Sequence, residues 1–61
     1  MPIIHVSMLE GRTKAQKTAA AAALTAALVE HLGSRPGDVT VVFDEKPREN
    51  WAIAGKLLAT D

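Results

Sequence analysis

The stretch that decides the fold is residues 13–33, TKAQKTAAAAALTAALVEHLG, which has the pattern of one long helix. Thr13 is a good N-cap, and Gln16 follows at the three-residue spacing of a capping box. A run of five alanines supplies strong helix formers, and leucines recurring at four-residue spacing give the helix an apolar stripe. Gly33 is a natural helix stop. We therefore predict a helix over Lys14–Leu32.

Runs rich in β-branched residues lie on both sides of this helix. Residues 3–9, IIHVSML, and residues 39–43, VTVVF, each predict a strand. Two strands joined through a helix of this length indicate a β-α-β unit with parallel strands. Residues 44–50 are charged and predict a loop, and residues 51–55, WAIAG, predict a short strand or hairpin. Residues 56–61 are expected to form a tail with one helical turn, so the fold class is α+β.

The size of the chain indicates that it needs partner subunits. Its 61 residues form one domain at most, which would bury only about 60% of its unfolded surface. Such a core supplies roughly 3–5 kcal/mol, so small chains depend on disulfides, a metal or oligomerisation. The sequence has no cysteine, and its two histidines lie far apart. With a hydrophobic content of 48%, we expect an oligomer that buries apolar surface between subunits.

The charge pattern argues against several classes of partner. Seven basic and seven acidic residues give a net charge of zero, without the basic block that nucleic-acid binding requires. No apolar run is long enough to span a membrane, and the first residues do not resemble a secretory signal. We therefore expect a cytoplasmic protein that binds neither nucleic acid nor membrane.

Ordinary catalytic sets are absent from the sequence. No triad-like arrangement, phosphate-binding glycine loop or metal-ligand spacing is evident, so we predict no cofactor and no metal. The unusual feature is Pro2, which follows the initiator Met1 and precedes an apolar strand. Removal of Met1 is expected because proline is small, and it would leave a free secondary amine. An α-amino group has a pKa of about 7.7–8.0, which apolar surroundings lower, and this suits a general base. An ordinary proline at a strand start is the alternative.

Several short motifs together resemble the 4-oxalocrotonate tautomerase family. They are PII at residues 2–4, LEGRT at 9–13, QK at 16–17 and ENWAIAG at 49–55. The resemblance covers essentially the whole chain and implies a single tautomerase-like domain over residues 1–61. It also implies a subunit that dimerises and then forms a hexamer as a trimer of dimers, with active sites at subunit contacts. A homo-oligomer is expected, and a hetero-oligomer is the alternative.

The resemblance assigns roles to three residues of this chain. Pro2 matches the family's catalytic proline, which acts as general base and then as general acid. Arg12 matches an arginine that binds a substrate carboxylate, although a solvated turn pair with Glu10 is the alternative. Trp51 matches an aromatic residue that makes the pocket apolar, which is compatible with a place at an interface. His5 is interpreted as structural.

One position departs from the family pattern. Many members carry a second arginine on the second strand that polarises the substrate carbonyl, and Thr40 stands at the matching position. A threonine donates only a neutral hydrogen bond, and losing a charge-assisted donor costs on the order of 10²–10³ in rate. Arg35 or Arg48 from an adjacent chain is a candidate replacement. We therefore expect slow turnover of a dicarboxylate dienol.

The predicted function is that of a tautomerase acting on a small carboxylated carbonyl compound in its keto and enol forms. Pro2 would move the proton, Arg12 would hold the carboxylate, and Trp51 and Thr40 would contact the substrate. Two alternatives remain at this point. One is a non-catalytic assembly subunit of a hetero-oligomeric tautomerase, and the other is a dehalogenase or hydratase of small unsaturated acids.

Overall fold

The computed structural model describes residues 1–59, and within them one α-helix separates two strands that pair in parallel. A short antiparallel hairpin follows the second strand. The elements are β1 (Ile3–Leu9), α1 (Lys14–Leu32), β2 (Thr40–Lys46), β3 (Ala52–Ile53) and β4 (Lys56–Leu57), with 3₁₀ turns at Pro36–Asp38 and Arg48–Asn50. The predicted α+β class, with a β-α-β unit and a C-terminal hairpin, is therefore confirmed.

Helix α1 has the predicted bounds because both of its ends carry strong local signals. The Thr13 hydroxyl accepts a hydrogen bond from the Gln16 N–H (3.1 Å), and the Gln16 side-chain oxygen accepts one from the Thr13 N–H (2.9 Å). This reciprocal capping box satisfies two N–H groups that the helix leaves unpaired. Gly33 ends the helix with a φ of 68°, and its N–H donates to the Leu28 carbonyl. No helix in residues 1–59 is both long and apolar enough to cross a membrane.

The capping box gives a direct stability prediction. Thr13→Ala is expected to lower the free energy of unfolding by about 1 kcal/mol, because it removes the cap acceptor. Thr18→Ala is the matched control, since the Thr18 hydroxyl only donates to the Lys14 carbonyl within the exposed helix (2.8 Å). Urea unfolding at one fixed protein concentration measures both variants. Equal losses for the two would show that the box has no special role.

The second strand was predicted incorrectly at both ends. It covers Thr40–Lys46 rather than 39–43, so the start of the predicted loop is strand instead. The strand extension was missed because its residues, Asp44–Lys46, are charged. Glu45 lies on the side of the strand that faces the helix, where its carboxylate forms a half-buried ion pair with the Lys17 ammonium of α1. A charge that is paired in this way can occupy a strand position that the sequence pattern reserves for apolar residues.

The hairpin accounts for the last described residues. Strands β3 and β4 pair through a two-residue turn, in which Ala54 and Gly55 both have positive φ, 53° and 80°. Positive φ at both central positions is the geometry of the turn that best fits the twist of a hairpin. The predicted hairpin is confirmed. The tail with a helical turn is wrong for Lys56–Leu57, which form β4, while residues 60–61 lie outside the described range.

The single chain leaves much of its apolar surface uncovered. Helix α1 covers one face of the β1–β2 sheet, yet no residue in 1–59 is fully buried. On the opposite face, Ile3 is 54% and Val42 is 38% exposed. The radius of gyration is 14.7 Å, against about 10 Å for a compact chain of this length. The chain is therefore more extended than a compact domain of this length, and it leaves apolar side chains of the outer sheet face exposed.

Candidate active site

A cleft opens at the carboxyl end of the parallel sheet, where both strands lead into turns. Its volume is about 540 Å³. Its lining includes Met8, Leu9, Glu10, Arg12, Arg48 and Trp51. The carboxyl end of a parallel strand pair is a common place for ligand-binding groups, because the loops after the strands converge there. This cleft combines cationic, apolar and aromatic groups, so it is the candidate active site.

Arg12 is positioned by the tight connection between β1 and α1. Gly11 has a φ of 125°, a conformation that side chains rarely adopt, and Thr13 is fixed by the capping box. The intervening Arg12 is exposed, and no carboxylate within residues 1–59 forms an ion pair with it. In particular, the guanidinium of Arg12 forms no ion pair with the carboxylate of Glu10 in the turn. The guanidinium keeps its donors available for a planar anion such as a carboxylate.

Trp51 is held by backbone hydrogen bonds on both sides. Its N–H donates to the Arg48 carbonyl (3.2 Å), and its own carbonyl accepts from the Leu58 N–H of the hairpin (2.9 Å). The half-buried indole therefore lines the cleft from a fixed position and supplies an apolar wall beside Arg12.

Pro2 and Thr40 lie at the opposite end of the sheet. The Thr40 N–H donates to the Pro2 carbonyl (3.1 Å), and Ile3 is the register partner of Thr40. Because β1 and β2 run in parallel, both strands begin at this end and finish near Arg12 and Trp51. Strand rise places the two ends about 20 Å apart. Within one chain, the four predicted site residues therefore form two separate pairs.

Sequence reasoning placed Arg48 in a solvated loop and did not assign it to the site of its own chain. The structure instead puts Arg48 at the first position of a 3₁₀ turn and in the same cleft as Arg12. The signal that would have found it is the strand register. Leu9 pairs with Lys46, so residues that closely follow these two positions share one end of the sheet.

Two further pockets lack Trp51, the aromatic side chain that lines the candidate active site. One of about 370 Å³ lies between the helix and the sheet, and it shares Met8 and Arg12 with the candidate site. The other, about 640 Å³, lies along α1 next to Pro36. Its lining consists of three alanines together with Thr25, Val29, Glu30 and Pro36. This pocket is larger than the candidate active site, but it lacks the combination of a cation and an aromatic wall that orients a small polar ligand.

The architecture and the site together define a class: a small β-α-β chain in which a proline precedes the first strand, an arginine follows that strand, and an aromatic residue follows the second strand. The family model described as tautomerase enzyme matches residues 2–61, and the chain belongs to this family. It is 47% identical over 55 residues to 2-hydroxymuconate tautomerase of Pseudomonas putida, a match that covers 90% of this chain and 87% of the relative. A probable tautomerase of Bacillus cereus is 41% identical over 59 residues, which is 97% of each chain.

Solved structures agree with these relatives. TomN, a 4-oxalocrotonate tautomerase homologue in the tomaymycin biosynthetic pathway, superposes with a TM-score of 0.89 at 40% identity, covering 93% of this chain and 88% of TomN. A heterohexamer 4-oxalocrotonate tautomerase from Chloroflexus aurantiacus gives 0.88 at 31% identity, covering 95% and 94%. The chain is thus a tautomerase. The relatives do not favour a non-catalytic subunit or a dehalogenase or hydratase.

Proposed function

We propose that this tautomerase interconverts the keto and enol forms of a small carboxylated carbonyl compound, with the amine of Pro2 as general base and acid. The observation that carries the proposal is the cleft in which Arg12 and Trp51 lie together, which offers a carboxylate anchor beside an apolar wall. The family model also begins its match at Pro2. Removal of Met1 exposes the amine.

The reaction needs one group that takes a proton and returns it. The Pro2 nitrogen accepts the proton of the enol hydroxyl, and the oxygen forms the carbonyl as the carbon–carbon double bond shifts. The protonated amine then delivers the proton to the carbon that has gained electron density. No atom or electron is lost, so the step requires no co-reactant. Positioned acid–base groups of this kind contribute typically 10²–10⁴-fold in rate.

Arg12 and Trp51 supply orientation and environment in this mechanism. The guanidinium of Arg12 binds the substrate carboxylate through two parallel hydrogen bonds, which fixes the direction of the substrate. The indole of Trp51 excludes water, and an apolar surrounding disfavours the protonated form of a nearby amine. Thr40 lies next to Pro2, to whose carbonyl its backbone N–H donates. Its side-chain hydroxyl offers a neutral hydrogen bond to the carbonyl oxygen of the substrate.

The proposed active site is shared between chains. Pro2 is about 20 Å from the Arg12 end of its own strand, so a substrate of a few carbon atoms cannot reach both within one chain. An assembly would also cover the exposed Ile3 and Val42 of the outer sheet face. A homo-oligomer, as a trimer of dimers, is the arrangement that we propose. A hetero-oligomer like that of the Chloroflexus aurantiacus relative is the alternative.

Ketonisation of an enol substrate tests the proposed function. The probes are 2-hydroxymuconate, the acid named for the Pseudomonas putida relative, and the enol of phenylpyruvate. The protein is expected to accelerate the loss of enol absorbance, and Arg12→Gln is expected to lower kcat/KM about 10²-fold, because it removes a charged hydrogen-bonding partner of the carboxylate. An unchanged rate with both probes, relative to buffer, would contradict the proposal.

A further inference from the structure

Arg48 is placed in the cleft by the same turn that holds Trp51. Pro47 precedes it, and the Arg48 carbonyl accepts the Trp51 N–H at 3.2 Å, so the two residues are the ends of one 3₁₀ turn. Both line the cleft together with Arg12. Arg12 follows β1 and Arg48 follows β2, and the register of the two strands therefore brings two guanidinium groups to one end of the sheet.

Neither guanidinium is neutralised by the described residues. The neighbouring cations Lys17 and Lys46 form ion pairs with Glu45 and Asp44, but no carboxylate in residues 1–59 pairs with either arginine of the cleft. Glu10 lines the cleft without forming an ion pair to them. Two like charges in one cleft repel each other, and this repulsion strengthens when a neighbouring subunit excludes water. Such a pair is stabilised by a bound anion.

We infer that Arg48 is a second substrate-binding cation of this cleft, and that it makes the site select acids with two anionic groups over acids with one. The inference rests on the proposed function and assigns the charge selectivity of that same site. One carboxylate satisfies one guanidinium through two parallel hydrogen bonds. The rigid donor fork of the second guanidinium then remains for a second anionic group.

The role of Arg48 is separate from the one that Thr40 leaves unfilled. A threonine at the Pro2 end of the sheet was expected to make turnover of a dicarboxylate slow. That expectation for the chemical step stands, because the arginine that Thr40 replaces polarises the carbonyl. Arg48 lies at the other end of the sheet, beside Arg12, and supplies a second cation for binding. The site therefore has two positive charges. Both bind the end of the substrate that lies farther from the proton-transferring amine.

The test compares two substrates and four proteins in steady-state ketonisation. The substrates are 2-hydroxymuconate, with two carboxylates, and the enol of phenylpyruvate, with one. Arg48→Gln is expected to lower kcat/KM for the dicarboxylate at least about tenfold, chiefly through KM, and to leave the monocarboxylate within about twofold. Arg48→Lys keeps the charge but loses the fork, and an intermediate value is expected.

Lys14→Gln is the matched control, because it removes the same charge from an exposed position outside the cleft. This variant is expected to change kcat/KM for neither substrate by more than about twofold. Native mass spectrometry and thermal melting of Arg48→Gln show whether its fold and assembly are intact. An equal fall for both substrates, or no fall for the dicarboxylate, would overturn the inference.

Direct binding separates failure of this inference from failure of the proposed function. Isothermal titration compares muconate with sorbate, which share a six-carbon diene skeleton and differ in having two carboxylates or one. The wild-type protein is expected to bind muconate at least about tenfold more tightly, and Arg48→Gln is expected to remove this difference. If ketonisation is absent but the difference in binding is lost in Arg48→Gln, only the proposed function fails. Equal binding of the two acids by the wild type overturns the inference.

Discussion

A chain that is extended at its amino terminus, so that the nitrogen of Pro2 becomes an amide, is expected to lose kcat at least about 10²-fold. An amide nitrogen has its lone pair delocalised into the carbonyl and cannot accept the proton of an enol. The carboxylate anchor Arg12 and the aromatic wall Trp51 remain unchanged, so the KM should move little. Ketonisation of 2-hydroxymuconate at saturating substrate measures this loss.

Two controls isolate the amine in this experiment. The same tag placed at the carboxyl end tests for general effects of an extension and should leave kcat within about twofold. Pro2→Ala keeps a free but primary amine after Met1 removal, and part of the activity is expected to remain. Full activity of the amino-terminally extended chain would show that a group other than the Pro2 nitrogen moves the proton.

Mixing two strongly impaired proteins is expected to restore activity, because each proposed active site draws on two chains. The first protein carries the blocked Pro2 amine, and the second carries Arg12→Gln. Since strand β1 separates these positions by about 20 Å, an intact Pro2 of one chain can meet an intact Arg12 of another. Random assembly of equal amounts should leave about a quarter of the sites with both groups intact.

Co-expression or joint refolding of the two proteins, followed by the ketonisation assay, measures this recovery. Native mass spectrometry on the same sample confirms that mixed oligomers have formed. Mixing two batches of the Arg12→Gln protein is the control, and it should stay inactive. If mixed oligomers form and no activity returns, Pro2 and Arg12 act within one chain, and the shared site is wrong.

Local signals predicted the first half of the fold well, and long-range pairing explains the remainder. The capping box at Thr13 and the left-handed Gly33 fix the helix ends through neighbouring backbone groups, so the bounds Lys14–Leu32 follow from the sequence. The end of β2 instead pairs with β1 and carries the ion pair between Glu45 and Lys17, neither of which a local pattern reveals. Charged residues in this strand therefore looked like a loop.

Some residues of the candidate site could likewise be predicted from the sequence, and others could not. The position and amine chemistry of Pro2 made it a candidate base, with an ordinary strand-start proline as the alternative. Resemblance to a family then supported Pro2 and added Arg12 and Trp51. The contribution of Arg48 follows only from the parallel register and the 3₁₀ turn, which bring the ends of β1 and β2 together. The separation of Pro2 from Arg12 was already implicit in the predicted strand over residues 3–9, which lies between them and spans about 20 Å.

Comparing specific activity with the fraction of chains that lack Met1 decides whether the free amine of Pro2 is the catalytic base. Intact-mass measurement gives this fraction on the same samples, prepared with and without treatment by a methionine aminopeptidase. Activity is expected to rise in proportion to the trimmed fraction and to extrapolate to zero for chains that retain Met1. Full activity in a preparation whose mass includes Met1 on every chain would contradict this role of the amine.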